Sequence, residues 1–127
     1  MNVLIDTSVW VDHFRNRNNT LISLIQADLA LTHPMVVGEI ACGTPPAPRS
    51  RTLNDIELLR PANHASLKEV MDFIEREKLY GQGCGLVDIT LLASTLITPD
   101  TTLWTLDRRL SGLAERFQVD YQLAQWN

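Results

Sequence analysis

The amino-acid sequence predicts an α/β protein with a mostly parallel central sheet of about four to five short strands, flanked by many helices. Short apolar runs alternate with longer amphipathic segments along the chain, which is typical of parallel strands joined through helices. Apolar residues make up 45% and charged residues 20% of the sequence, as in an ordinary globular protein. The 127 residues fit one domain, and no repeat or linker divides the range 1–127.

The N-terminal half of the chain predicts two strands and four helices. In chain order they are a strand at 2–5, a helix from about 7 to 14, a helix at 20–27, a strand at 29–32, and helices at 34–42 and 49–59. Thr7 or Ser8 is the expected N-cap of the first helix, since a hydroxyl oxygen accepts an unpaired backbone N–H there. Pro34 suits the first position of its helix. The proline-rich residues 43–50 end that helix and form a loop.

The C-terminal half predicts three helices and one or two strands. In chain order they are helices at 64–79 and 86–97, a strand at 102–106, a helix at 107–117 and a possible last strand at 119–121. Leu67, Val70 and Ile74 recur at the spacing of one helix face. Residues 86–97 are apolar on nearly every side, so this helix is expected to be buried. Asp88 is its exception, and a buried carboxylate is costly unless it is paired or metal-bound.

Four acidic residues are candidates for one site. Asp6 and Asp107 each directly follow a predicted strand, so both are expected at the carboxyl edge of the sheet, where α/β proteins place their sites. Glu39 and Asp88 lie within apolar helices, and no lysine or arginine stands at helical spacing to Asp88. Taken singly, each acid has a structural explanation as a helix cap, a partner of a helix dipole or a solvated side chain. Taken together, they predict a cation site.

The four candidates account for the whole excess of negative charge. The chain has 15 Asp and Glu against 11 Lys and Arg, so the 11 acids outside the candidate site equal the bases in number. Oxygen ligands favour Mg²⁺ or Mn²⁺ over zinc, and the three histidines are expected to have structural roles. Such a site, with no serine or cysteine nucleophile paired to a base, fits hydrolysis of phosphodiesters by a metal-activated water.

The remaining features point to a cytoplasmic protein. No apolar run approaches the roughly 18 residues that a membrane span needs, and the N-terminus lacks the basic region of a signal peptide. Cys42 and Cys84 have no metal-binding or framework spacing, and both are expected to be buried, reduced thiols.

Four stretches of the sequence closely resemble the PIN-domain family, and within it the VapC-type toxins of bacterial toxin–antitoxin systems. They are MNVLIDTSVWVDHF, the glutamate of PMVVGEI, GQGCGLVDITLLAS and LWTLDRRL. The resemblance covers nearly the whole chain and is weakest over residues 43–62. It implies a PIN-like fold and a Mg²⁺- or Mn²⁺-dependent endoribonuclease that acts on RNA. It also implies a homodimer that a cognate antitoxin protein neutralises.

The resemblance also implies roles for single residues. Asp6, Glu39, Asp88 and Asp107 match the catalytic, metal-binding acids of the family. Of these, Asp6 and Asp88 would ligate the metal directly, Glu39 would orient the metal-bound water, and Asp107 would ligate a second metal or act through water. The polar companions of the acids are matched by Thr7, Ser8 and Thr105.

Three other classes of protein can also carry such acids: receiver domains, phosphatases with an aspartyl nucleophile and non-catalytic docking proteins. A receiver domain needs a lysine after a late strand, whereas Lys68 and Lys78 both lie on a predicted helix. A phosphatase with an aspartyl nucleophile usually has a second acid two residues on, where this chain has Ser8. A non-catalytic interaction protein, whose acidic pocket only docks a basic partner, stays open as the alternative. For the nuclease, the candidate contacts to RNA phosphates are Arg15, Arg17, Arg108 and Arg109.

Overall fold

The computed structural model of the chain describes residues 1–122, and within this range it has four strands and seven helices. The strands are β1 (Asn2–Ile5), β2 (Ala30–Thr32), β3 (Arg60–Pro61) and β4 (Thr101–Trp104). The helices are α1 (Thr7–Arg15), α2 (Asn19–Gln26), α3 (Pro34–Cys42), α4 (Arg49–Glu57), α5 (Leu67–Glu77), α6 (Leu86–Leu96) and α7 (Arg108–Arg116).

The four strands form one parallel sheet in the order β3-β2-β1-β4. Strand β1 pairs with β2 on one side and with β4 on the other, and Ile5 is in register with Trp104. The residues that follow this pair, Asp6 and Thr105, are therefore neighbours at the carboxyl edge. The predicted α/β fold with a parallel sheet is confirmed.

The core is built from the central strands and α6. Val3, Leu4 and Ile5 of β1 are at most 2% exposed, as expected for a parallel strand covered on both faces. In α6, every residue from 89 to 95 is buried, which confirms the buried helix that the sequence predicts. The two ends of this helix are more exposed, so its first turn, which carries Asp88, comes near the surface.

Two helix starts differ from the prediction. Asp6, rather than Thr7 or Ser8, is the N-cap of α1, because its carboxylate accepts the backbone N–H of Ser8. Helix α5 begins at 67 rather than 64, because Ser66 and Glu69 form a capping box in which each side chain accepts the other's backbone N–H.

The strands at the end of the sheet are shorter than predicted. Strand β4 ends at Trp104, and in place of a last strand at 119–121 there is a single bridge between Leu103 and Asp120. The sequence does not predict β3, since two exposed residues, one of them a proline, carry no apolar pattern. None of the described helices is long and apolar enough to span a bilayer.

The prediction that both thiols are buried is wrong. Cys42 is exposed and Cys84 is partly buried. In α3 the buried residues are Val36 and Ile40, and a residue two positions beyond Ile40 along an α-helix faces a different side. Cys84 precedes α6 in a glycine-rich loop.

Buried His33 begins α3 as its N-cap. Its Nδ1 accepts the N–H of Met35 at 3.0 Å, and its Nε2 lies 3.0 Å from Oγ of Ser94. Because Nδ1 accepts a hydrogen bond, the proton of the neutral ring lies on Nε2 and is donated to Ser94. Burial, and secondly the neighbouring His64, lower the pKa of His33 to about 4. The neutral ring is therefore the form that holds the start of α3, the helix that carries Glu39.

Stability is expected to fall in mild acid because of His33. The unfolded chain binds a proton at an ordinary pKa of 6.5, whereas the folded ring binds it only near 4, so the free energy of unfolding decreases as the pH falls through this interval. Between pH 7 and pH 5 the loss is on the order of 2 kcal/mol. His33→Asn keeps a good N-cap and cannot titrate, so urea denaturation should show a flatter pH dependence. Parallel profiles for the two proteins would contradict this role.

Candidate active site

Asp6 is the centre of a hydrogen-bonded group that joins the ends of β1 and β4. The residue is 5% exposed, and its backbone N–H donates to the carbonyl of Trp104. Its Oδ2 accepts the hydroxyl of Ser8 at 2.6 Å and the hydroxyl of Thr105 at 2.8 Å. Its Oδ1 accepts no hydrogen bond from the described residues, so one oxygen of a fixed carboxylate is left for a ligand.

The two hydroxyl protons are assigned by the other partners of each oxygen. Ser8 Oγ accepts the N–H of Leu106 at 2.9 Å, and Thr105 Oγ1 accepts the N–H of Asp107 at 3.0 Å. A hydroxyl has one proton to donate, and in both cases Asp6 is the acceptor that has none of its own.

Asp107 lies on the same edge and caps α7. Its Oδ1 accepts the N–H groups of Arg109 at 2.8 Å and Leu110 at 3.2 Å. The capping roles that the sequence allows for Asp6 and Asp107 are thus both present. They are compatible with a site, because each uses one carboxylate oxygen and the residues stand together through Thr105.

Asp88 stands in the first turn of α6, where it accepts the N–H of Gly85 at 3.3 Å. Burial is the main cause that raises the pKa of its carboxyl; the Gly85 N–H lowers this pKa by less, and the charges of Asp6 and then Asp107 raise it by smaller amounts. The pKa of the Cys84 thiol is raised by burial and then by Asp88 and Asp107. These repulsions place Asp6 and Asp107 within electrostatic reach of Asp88.

Glu39 is linked to the start of α1, next to Asp6, by a hydrogen bond. It is exposed on α3, and its Oε1 accepts the hydroxyl of Thr7 at 2.6 Å. Thr7 directly follows Asp6 in the chain, so this hydrogen bond brings Glu39 to the residue next to Asp6. Thr7 and Glu39 also line a cavity of about 570 Å³.

The donor set fits a hard divalent cation, although the acids do not form a closed cage. Within residues 1–122, no three His, Cys, Asp or Glu side chains lie close enough together to hold one metal ion. Mg²⁺ commonly binds through one or two carboxylates and keeps several waters, so it does not need such a cage. A cation bound by these carboxylates would relieve the charge repulsion that contributes to the raised pKa of Asp88. The residues that would hold it are Asp6, through its free Oδ1, and Asp88.

Two of the four candidate arginines stand beside these acids. Arg15 lines the cavity that Glu39 and Thr7 share, and the side chain of Arg109 crosses Gly83, in the loop before α6. Gly83 has a φ of +84°, and a Cβ there would lie 2.6 Å from Cδ of Arg109, so only glycine allows this approach. Nothing in the sequence pattern singles out this contact. Arg17 instead donates to Asn19, and Arg108 is exposed at the start of α7.

A four-stranded parallel sheet with acidic side chains at its carboxyl edge defines a PIN-like α/β protein. No protein-family model matches the chain. Ribonuclease VapC32, from two strains of Mycobacterium tuberculosis (CDC 1551 / Oshkosh and ATCC 25618 / H37Rv), is 36% identical over 110 residues. The match spans 87% of this chain and 88% of the relative. The chain therefore belongs to the VapC family of PIN-domain proteins, as its sequence motifs predict.

Proposed function

We propose that residues 1–127 form one nuclease domain that acts as the toxin of a type II toxin–antitoxin system, a metal-dependent endoribonuclease that hydrolyses RNA phosphodiester bonds. The observation that carries the proposal is the fixed carboxylate of Asp6, which has one free oxygen and whose charge contributes to the raised pKa of Asp88. The likeness to a protein named Ribonuclease VapC32 supports the same activity. RNA is the substrate, and the cytoplasm is the compartment where it is met.

The residues that would hold Mg²⁺ or Mn²⁺ are Asp6 and Asp88, with Asp107 and Glu39 as nearby carboxylates. When bound, the cation supplies a lower pKa for water and neutralises charge on the phosphate. Ser8 and Thr105 orient Asp6, and Thr7 orients Glu39, so the carboxylates keep their positions without substrate. Glu39 is exposed, with its second oxygen available to orient the attacking water.

The partners proposed for the chain follow from its family. A cognate antitoxin neutralises the toxin, and two copies of the chain form a homodimer. An antitoxin side chain that enters the acidic edge needs a positive charge, because the charges of Asp6 and Asp107 already disfavour the ionised carboxylate of Asp88 there. The same charge argument disfavours RNA binding at this edge in the absence of a cation.

A non-catalytic docking protein is the second candidate. The observation that favours it is the lack, among the described residues, of three ligating side chains already gathered for one metal. A docking surface would have the acids, but a metal ion would raise its thermal stability little. Millimolar Mn²⁺ is expected to raise the melting temperature of a metal-binding nuclease, since a ligand of the native state adds to its stability.

The function is tested with the purified full-length chain and total bacterial RNA. With Mn²⁺ we expect new RNA termini at defined sequences, mapped by sequencing of RNA ends, and a raised melting temperature. The same sample with a chelator is the control and should show neither. A protein that is neither stabilised by Mn²⁺ nor able to cut RNA in its presence would leave only the docking alternative.

Arg15 and Arg109 are expected to contribute to RNA affinity through phosphates. Each phosphate contact to a single strand adds about 0.7 to the slope of the logarithm of the binding constant against the logarithm of salt concentration. Arg15→Ala and Arg109→Ala should each weaken binding and reduce the slope by about this amount. Arg17→Ala is the matched control, because Arg17 is turned to Asn19, and a smaller change is expected. An unchanged slope in both test variants would contradict the role.

A further inference from the structure

We propose that the cavity beside Glu39 binds the base of an unpaired RNA nucleotide next to the phosphate that is cut, an inference that rests on the proposed ribonuclease function. The cavity has a volume of about 570 Å³ and lies between α1, α3 and the loop 43–48. This volume is in the range of sites for small ligands and accommodates a nucleotide.

The cavity is continuous with the candidate active site. Thr7 and Glu39 line it, and Thr7 is adjacent to Asp6 in the chain. An RNA strand whose phosphodiester lies at the acids has to continue past them in both directions. The cavity is therefore placed to receive a nucleotide that flanks the cut bond. Arg15 lines it too, and its guanidinium suits the phosphate of that nucleotide.

The lining of the cavity suits a flat base. Five of its residues present apolar surface, namely Val11, Phe14, Ile40, Pro45 and Pro46. Phe14 is partly buried and packs with Trp10 at a ring distance of 6.2 Å, so its ring is held in place. Unpaired bases are commonly recognised by stacking on such rings, and one stacked base is worth roughly ten- to a hundredfold in affinity.

The loop that closes the cavity is already fixed without a ligand. Arg49 donates to the carbonyls of Ala41 at 2.6 Å and Gly43 at 3.3 Å. The hydroxyl of Thr52 donates to the carbonyl of Pro46 at 2.8 Å. Both donors belong to α4, so the wall of the cavity formed by Pro45 and Pro46 has a defined position. A preformed wall loses little conformational entropy when it binds a base.

Gly43, the C-cap of α3, provides the test variant, and Gly38, within α3, provides its matched control. A Cβ on Gly43, which lines the cavity, has as its nearest atom the Ile40 carbonyl oxygen at 3.6 Å, and the φ of −100° accepts any residue. Gly43→Leu therefore adds a side chain at the cavity with little strain. Gly38 also has free space around it but lines a different cavity, so Gly38→Leu makes the same change elsewhere. Phe14→Leu is the second test variant, since it removes the ring and keeps an apolar side chain.

The probes are a fluorescent single-stranded adenylate RNA and an abasic strand of the same length, with binding followed by fluorescence anisotropy in the presence of a chelator. Both strands have the same charge, so repulsion by the acids affects them equally. We expect wild type and Gly38→Leu to bind the adenylate strand about tenfold tighter than the abasic strand. In Gly43→Leu and Phe14→Leu this preference should largely disappear.

Two outcomes would overturn the proposal. One is equal binding of both strands by wild type, which would leave the cavity to a protein segment rather than to RNA. The other is a full preference for the adenylate strand in Gly43→Leu and Phe14→Leu. Neither depends on cleavage, because the chelator removes the metal. A failure of the ribonuclease function is seen separately, as RNA that stays uncut by wild type with Mn²⁺.

Discussion

Asp88→Asn is expected to lower the rate of RNA cleavage by at least about a hundredfold while the protein stays folded. A bound metal ion stabilises the transition state by several kcal/mol, and each 1.36 kcal/mol is a factor of ten in rate. Asp88 is one of the two carboxylates that we propose as ligands of the cation. Asparagine has nearly the same shape, and its carbonyl oxygen can still accept the N–H of Gly85. Two quantities are measured for this variant and for wild type: the rate of RNA cleavage in Mn²⁺ and the melting temperature.

The melting temperature separates a site residue from a structural one. Burial and the charges of Asp6 and Asp107 raise the pKa of the Asp88 carboxyl, so its ionised form is disfavoured in the folded chain. Without metal, Asp88→Asn should therefore melt at the same temperature as wild type or higher, and with Mn²⁺ it should gain less. Asp72→Asn is the control, since Asp72 is exposed and pairs with exposed Lys68. Full activity in Asp88→Asn would remove Asp88 from the site.

The fold could be predicted where sequence pattern and packing agree. The continuous apolar run of β1 and the largely apolar stretch of α6 each have one favourable environment, the interior of a covered parallel sheet. Helix α3 also has the predicted bounds, because Pro34 starts it and the proline-rich loop follows it. By contrast, β3 is held by pairing with β2 and not by its own composition, so no local pattern reveals it.

The site was predictable only as a set of residues. The acids that follow β1 and β4 had to share an edge once the sheet was parallel, and the register of Ile5 with Trp104 brings Asp6 and Thr105 together. The sequence could not show which oxygens are used. Whether Asp6 accepts from Ser8, Thr105 or both depends on side-chain rotamers at the turn after β4. The same holds for Arg109 over Gly83, a contact between α7 and the loop before α6 that no spacing encodes.

Asp6→Ala is expected to abolish toxicity, and the structure explains why this variant needs a second one beside it. Expression of wild type in a bacterium should arrest growth and produce new RNA termini, and Asp6→Ala should do neither. The alanine also removes the N-cap of α1, at a cost of about 0.5–2 kcal/mol, and leaves the hydroxyls of Ser8 and Thr105 without their acceptor. Loss of toxicity in Asp6→Ala alone could therefore reflect unfolding.

Asp6→Asn separates chemistry from folding at this position. Its carbonyl oxygen can cap α1 and accept from Ser8 and Thr105, but its other atom becomes an amide nitrogen, which cannot ligate a cation. This variant should have a melting temperature near that of wild type and cause no arrest. Thr105→Val removes one of the two hydroxyls that hold Asp6, and we expect an intermediate loss of about ten- to a hundredfold in cleavage. Growth arrest with new RNA termini in Asp6→Asn would mean that the free oxygen of Asp6 is not a metal ligand.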